Sequence, residues 1–206
     1  TAALIEMARA YAHAPKPQRS VVFLAVTAEE KGLLGSEYYA SKPLYPLATT
    51  VAVINTDALD PTGVARNFTT SGSAKSDLLD ALIAIGKANG MAYVTDPHPE
   101  AGHFFRSDHF SFAKAGVPAV YAKGGIDNLE KGPEYGQSVL DEYTGEHYHK
   151  AADNFDPNWD LRGVVQDLNA LQQLGKTLAN SDKWPNYYEG NAFRKARDAS
   201  RASVTK

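Results

Sequence analysis

Val21-Val22-Phe23-Leu24-Ala25-Val26-Thr27-Ala28-Glu29-Glu30-Lys31-Gly32 is the stretch on which the fold is decided. The apolar run Val21 to Val26 is far too short to cross a bilayer and is rich in β-branched residues, so it reads as a strand. With no polar alternation it is expected to be buried on both faces, as in a parallel sheet covered by helices. It leads directly into two adjacent carboxylates. In open α/β sheets ligands bind at the carboxyl ends of the strands, which is where Glu29 and Glu30 would lie. Two neighbouring carboxylates repel, and a cation offsets that charge: one can ligate it while the other acts as a base toward bound water. For an isolated Glu-Glu pair, a solvated acidic turn at a helix start is the simpler reading. The rest of the chain has to discriminate.

Upstream, Leu4, Met7, Ala8 and Tyr11 keep helical spacing from the first residues, and Pro15 and Pro17 end that helix. The chain is therefore read as starting inside a helix, as a piece of a longer polypeptide whose targeting signal would lie upstream. Downstream, Gly32 to Ala40 is helical in spacing, with Leu34 and Tyr38 four apart, and Pro43 and Pro46 close it. Val51-Ala52-Val53-Ile54 reads as a second buried strand, and it too ends in an acid: Asn55-Thr56-Asp57.

Ser73 or Ser76 can cap a helix from about Asp77 to Asn89, with Gly90 as its stop. Ser107 or Asp108 can cap a short helix over Phe110–Ala115, ahead of a strand at Val117–Tyr121 whose proline sits near the entry. Residues 124–146 are Gly-rich, polar and aperiodic, and read as a long functional or mobile loop. A helix is expected over Leu161–Ala179, then a short basic helix from Phe193 to Arg201. No internal repeat or second domain is visible.

Composition agrees with a globular domain: 206 residues, 43% hydrophobic and 22% charged. A net charge of −3 gives no electrostatic case for nucleic acid or an anionic membrane. No apolar run reaches the length of a membrane span. The absence of cysteine excludes disulfides and thiolate-ligated metals. There is no Gly-x-Ser-x-Gly elbow, since Ser71-Gly72-Ser73 has the wrong frame. A His-Glu-x-x-His helix and a glycine-rich nucleotide loop are missing too.

Glu29-Glu30 after one strand, Asn55-x-Asp57 after the next, then Ser107-Asp108-His109 and Tyr148-His149-x-x-x-Asp153 make an ordered series. That series resembles the co-catalytic zinc exopeptidases of the aminopeptidase S and aminopeptidase Y type, over roughly residues 1–180. Thr27 to Ser36 and the Ala115-Gly116-Val117-Pro118-Ala119 phrase look closely like the family's as well. The resemblance implies an α/β three-layer sandwich, with a mostly parallel (mixed) central sheet covered by helices on both faces. Residue by residue, it implies that Glu29 is the general base and that Glu30 and His149 ligate one zinc. Asp57 would ligate the other zinc, and Tyr148 would stabilise the developing oxyanion. Zinc accepts imidazole nitrogen and carboxylate oxygen, and a paired site clamps the attacking and leaving groups of a displacement. The substrates implied are peptide or protein N-termini, and the parent protein is expected to be periplasmic or secreted.

The family also uses an upstream His-x-Asp segment and a bridging Asp, which the resemblance places before residue 1. Residues 1–180 would then be the C-terminal part of the catalytic domain, and 181–206 an extension that packs on it or frays. Zinc binding and turnover by this stretch alone are expected to be weak. A glutaminyl cyclase-like acyltransferase with a single zinc, or a non-catalytic binding module, are the competing readings on the same scaffold.

Other residues have plainer readings. His13 and His98 are expected in solvent, and the Phe104-Phe105 and Tyr38-Tyr39 pairs in the core. Asp108 and His109 could line the substrate pocket, but a helix cap and a core imidazole explain them nearly as well. Spacing alone leaves His147 and His149 both open as the ligand; the match of the Tyr-His phrase favours His149. Asp153 could orient a neighbouring side chain or cap a turn.

Overall fold

The computed structural model of the protein describes residues 1–72 and 75–204. Its sheet is organised around β4 (Ala119–Gly124). On one side β1 (Val53–Asn55) runs parallel to it, with Val53 opposite Ala119. On the other, β2 (Asn67–Thr70) runs antiparallel, with Thr70 opposite Ala122, and β3 (Ala92–Tyr93) pairs in parallel beyond β2. The order is β1-β4-β2-β3, a mixed sheet.

Side chains along a strand alternate between the two faces of a sheet. Val120 and Ala122 join Phe68, Leu78, Leu82, Leu171 and Leu174 in one core, built with α3 (Asp77–Ala88) and α6 (Arg162–Ala179). Ala119, one residue out of step, joins Phe104, Ala113 and Tyr187 in a second core beside α4 (His109–Lys114). Helices therefore cover both faces, and the three-layer α/β sandwich is the observed architecture. Leu78, Leu82, Leu171 and Leu174 are essentially solvent-free, and burying each contributes about 1.5–3 kcal/mol. The start of α3 follows the sequence, with Ser76 Oγ accepting the Leu79 amide as its cap, whereas α4 starts after Asp108 with no side-chain cap bond. The competing cap, Ser73, lies outside the described residues.

Several expectations are corrected. Val21–Val26 belongs to no strand; among the described residues no segment forms a ladder with it, and Val22 is 50% exposed. Its apolar character is real, but a strand exists only where a partner supplies hydrogen bonds. The stretch at 124–146 is not a loop throughout: α5 (Gly132–Glu142) occupies it, followed by a π-helical turn, Tyr143–His147. Pro133 sits in the first turn of α5, where a proline is favourable. The polar composition concealed a solvent-facing helix. In α2 (Leu34–Ser41), Leu34 and Tyr38 face solvent, and it is Tyr39 that packs, against Phe112. Phe104 is buried and Phe105 exposed, so each aromatic pair contributes one ring to the interior.

Tyr187 is fully buried and donates its hydroxyl to Val117 O. Arg197 of α7 (Arg194–Ala202) is 1% exposed and donates to Thr50 O and Val51 O. α1 (Ala2–Ala12) lies near α6, with Tyr11 against Phe23.

Candidate active site

The segment after Val26 turns sharply. Glu29–Lys31 form one 3-10 turn flanked by two residues in the left-handed region, Ala28 (φ 56°) and Leu33 (φ 60°). Gly35 fixes the exit: its amide donates to Thr27 O at 2.9 Å, and a Cβ there would stand 2.4 Å from that oxygen. Among the described residues a third non-glycine has positive φ, His149 at 59°. Each such residue costs about 1–3 kcal/mol, and strain of this kind collects at functional sites. Here all three instances meet, because His149 Nε2 lies 2.8 Å from Glu30 Oε1. Tyr148 stacks on the His149 ring, centroids 3.9 Å apart.

β1 delivers Asp57 toward the same place, and a relay holds its carboxylate. Asn55 Nδ2 donates to Ser107 Oγ at 2.8 Å, and Ser107 donates to Asp57 Oδ2 at 2.7 Å. This contact ties the Asn-x-Asp phrase to the Ser-Asp-His phrase, 50 residues further along. Ser107 is 3% exposed. Sequence reasoning gave it only a capping role; its place beside Asp108-His109 was the signal available.

Electrostatics show the convergence. The Glu29 carboxyl is raised above its ordinary value, first by burial, then by Asp57, Glu30 and Asp108, with His149 opposing. Burial also raises the Tyr148 phenol, followed by repulsion from Glu30, Asp57, Glu29 and Asp60. Asp108 is raised by burial and by Asp57, opposed by a hydrogen bond from Ser36, and its Oδ1 is buried with no hydrogen-bond partner among the described residues. His109 has no solvent exposure, and among the described residues neither ring nitrogen finds a hydrogen bond. It sits edge-on to Phe104 and beside Tyr121, and burial depresses its pKa to about 4. The imidazole is neutral and core-facing, while Asp108 Oδ1 stays open for a partner.

The other histidines separate. His147 Nδ1 is held by Ala152 O at 3.0 Å, so it is His149 that reaches Glu30. His98 pairs with Glu100 in solvent, and His13 bonds Arg9 O at the surface. Asp153 accepts from Tyr143 Oη at 3.2 Å, and Lys150 donates to Gly145 O; both contacts brace the turn that carries Tyr148 and His149.

The donor chemistry, one imidazole and several carboxylate oxygens, suits zinc. The resemblance implied two donors from this chain for one ion, Glu30 and His149, and one for the other, Asp57. Among the described residues no group of three His, Cys, Asp or Glu side chains stands close enough to hold a metal ion. Glu30 and His149 are joined, and Asp57 acts on Glu29 and Tyr148 through its charge without completing a three-donor group.

A model of peptidase family M28 matches residues 1–172. Among solved structures, an aminopeptidase from Aneurinibacillus sp. strain AM-1 has a similar fold, with a TM-score of 0.56 and 21% identity. The match covers 89% of this chain and 39% of that one, so the chain spans well under half of that protein's length. No curated protein matches the chain.

Proposed function

The chain belongs to peptidase family M28, and from that premise we propose that its site removes N-terminal residues from peptides, with Glu29 as general base. The observation that carries the proposal is the division of labour between adjacent carboxylates. Glu30 is joined to His149 at 2.8 Å, whereas Glu29 sits in the field of three other acids and is raised by burial. Neighbouring groups whose environments push their proton affinities apart are the usual sign of separate ligand and base roles.

Zinc, when bound, would be held by Glu30 and His149, with Asp57 serving a second ion, and would supply Lewis acidity toward water and the scissile carbonyl. Two side chains on one ion and one on the other fall short of the three that catalytic zinc sites use.

The chain's own residues divide the remaining work. Glu29 accepts a proton from the attacking water and hands it to the leaving amine, a contribution of about 10²–10⁴ in rate. Its raised proton affinity suits it to hold that proton between the two steps. Tyr148 keeps its phenol protonated and 45% exposed, placed to donate toward developing negative charge. Ser107 and Asn55 fix the Asp57 carboxylate. Open water access is consistent with hydrolysis.

The test is zinc content and leucine-anilide hydrolysis for the parent protein beside its Glu29→Gln variant. Zinc retained with activity lower by 10²-fold or more assigns the base. Zinc lost makes Glu29 a ligand, and undiminished hydrolysis overturns the reading.

A further inference from the structure

Lys123 lies near the carboxyl end of β4, the end of the sheet at which β1 delivers Asp57. The two strands run parallel with Asn55 opposite Tyr121, and Asp57 and Lys123 each follow two residues on. Ligands bind at this end of such sheets. Lys123 shares a face of β4 with Tyr121, and its Nζ stands 5.2 Å from the centroid of that ring. The ring belongs to the site. Tyr121 Oη accepts the amide of Ala58, next to Asp57, at 3.3 Å. Burial and then the charge of Asp57 hold its phenol above the ordinary value, with Asp60 and Tyr148 adding to the rise.

The Lys123 ammonium has no partner of its own. The residue is half-buried, and among the described residues Nζ makes no hydrogen bond and has no carboxylate within ion-pair distance. Asp60 senses it through its field alone: burial raises that carboxyl, and Lys123 opposes the rise. An aromatic face compensates a half-buried cation less than a hydrogen-bonded anion does.

Directly across the sheet from Lys123 is Thr69 of β2. Opposed residues of an antiparallel pair are neighbours on one face. Thr69 Oγ1 is buried with no hydrogen-bond partner among the described residues. Two donors, an ammonium and a hydroxyl, therefore stand side by side without an acceptor. Buried polar groups are nearly always satisfied, so such a pair points to a partner from outside the chain. A carboxylate fits it, with two acceptor oxygens and a charge that offsets the lysine's. Toward Glu29 the cleft is lined by Glu30, Asp57 and Asp108, all of which repel an anion.

We infer that Lys123, with Thr69 beside it, receives a carboxylate of the substrate. That group is either the side chain of an N-terminal Asp or Glu or the terminal carboxylate of a dipeptide. The inference rests on the peptidase reading and adds to it the substrate class.

The test compares kcat/KM of the parent protein and its Lys123→Met and Thr69→Val variants on two substrate pairs. One pair is glutamyl-anilide with leucine-anilide, the other leucyl-glycine with its amide. Lys123→Met is expected to lower the charged-to-neutral ratio of one pair tenfold or more, and Thr69→Val about fivefold. The pair that responds names the source of the carboxylate. Lys123→Glu is expected to turn the preference toward lysyl-anilide. Met matches the lysine stem and Val is close to isosteric with Thr, so melting temperatures near the parent's are expected. Hydrolysis of leucine-anilide with both ratios unmoved by Lys123→Met overturns this inference and leaves the peptidase reading standing. Ratios that respond to Lys123→Met and not to Thr69→Val strike Thr69 from the site. No hydrolysis of any substrate by the parent protein overturns both readings.

Discussion

Ser107 Oγ donates to Asp57 Oδ2 at 2.7 Å while accepting from Asn55 Nδ2 at 2.8 Å. One hydroxyl therefore fixes the carboxylate at the end of β1 and satisfies the amide two residues before it. Ser107→Ala removes both bonds. The expected result is a stability loss of about 1–3 kcal/mol, since buried polar atoms lose their partner. Zinc affinity is expected to fall about 10–100-fold, the usual effect of freeing a ligand from its support. Chelator competition in the parent protein measures the second, and urea unfolding the first.

One buried and one half-buried group, His109 and Asp167, give opposite pH dependences. The His109 pKa is depressed to about 4 from 6.5, so the fold favours its neutral form. Its contribution is intact above pH 6.5 and is lost as the pH falls toward 4, about 3 kcal/mol in all. Burial, reinforced by Asp60, raises Asp167 to about 7 from 3.8, so the fold favours its protonated form. That contribution is intact below pH 3.8 and is lost as the pH rises through 7. His109→Phe should therefore be more acid-resistant than the parent between pH 6.5 and 4. Asp167→Asn should gain on the parent as the pH climbs toward 7.5. Urea midpoints at pH 4.5, 6 and 7.5 check both slopes, and parallel curves would remove the assignment.

Tyr143→Phe deletes the bond from the π-helical turn to Asp153. The turn carrying His149 then loses one of its braces. Zinc affinity is expected to drop by up to about tenfold, and amide exchange to quicken across 143–153. In a His149→Ala background the same change should leave zinc affinity where it was. A further loss there would mean that Tyr143 acts elsewhere.

Gly35→Ala would ordinarily favour a helix, yet here the methyl group would stand 2.4 Å from Thr27 O and 2.5 Å from Thr27 N. Backbone must move, at about 1–3 kcal/mol. Because the same turn aims Glu29, hydrolysis by the parent protein should fall further than the stability loss alone would dictate. Equilibrium unfolding and leucine-anilide kinetics on the same preparation separate the two effects.

Legibility from sequence followed the physics of each signal. α3 and α6 were readable because an apolar stripe at helical spacing reports burial directly, and Ser76 marked the start of α3. β2 and β3 were missed: Asn67-Phe68-Thr69-Thr70 and Ala92-Tyr93 are short and half polar, and become strands through pairing alone. Val21–Val26 failed in the opposite sense, with strand composition and no ladder. Glu29, Glu30, Asp57 and His149 could be singled out from their ordered phrases, although Glu29 and Glu30 follow no strand. The relay through Ser107 was not, because a hydrogen bond between residues 50 apart leaves no periodic trace. Nor did spacing decide between His147 and His149, which differ only in where their rings turn.

The unladdered run from Val21 to Val26 has a colloidal consequence. Six consecutive apolar residues whose amides and carbonyls make no backbone bond among the described residues are a template onto which an identical segment of another molecule can add, edge to edge. Charged or proline gatekeepers inside the run would block such stacking, and it has neither. Concentrated solutions of the isolated polypeptide should therefore become turbid and bind amyloid dyes. Lysine at Val22, half in water already, should be enough to keep them clear.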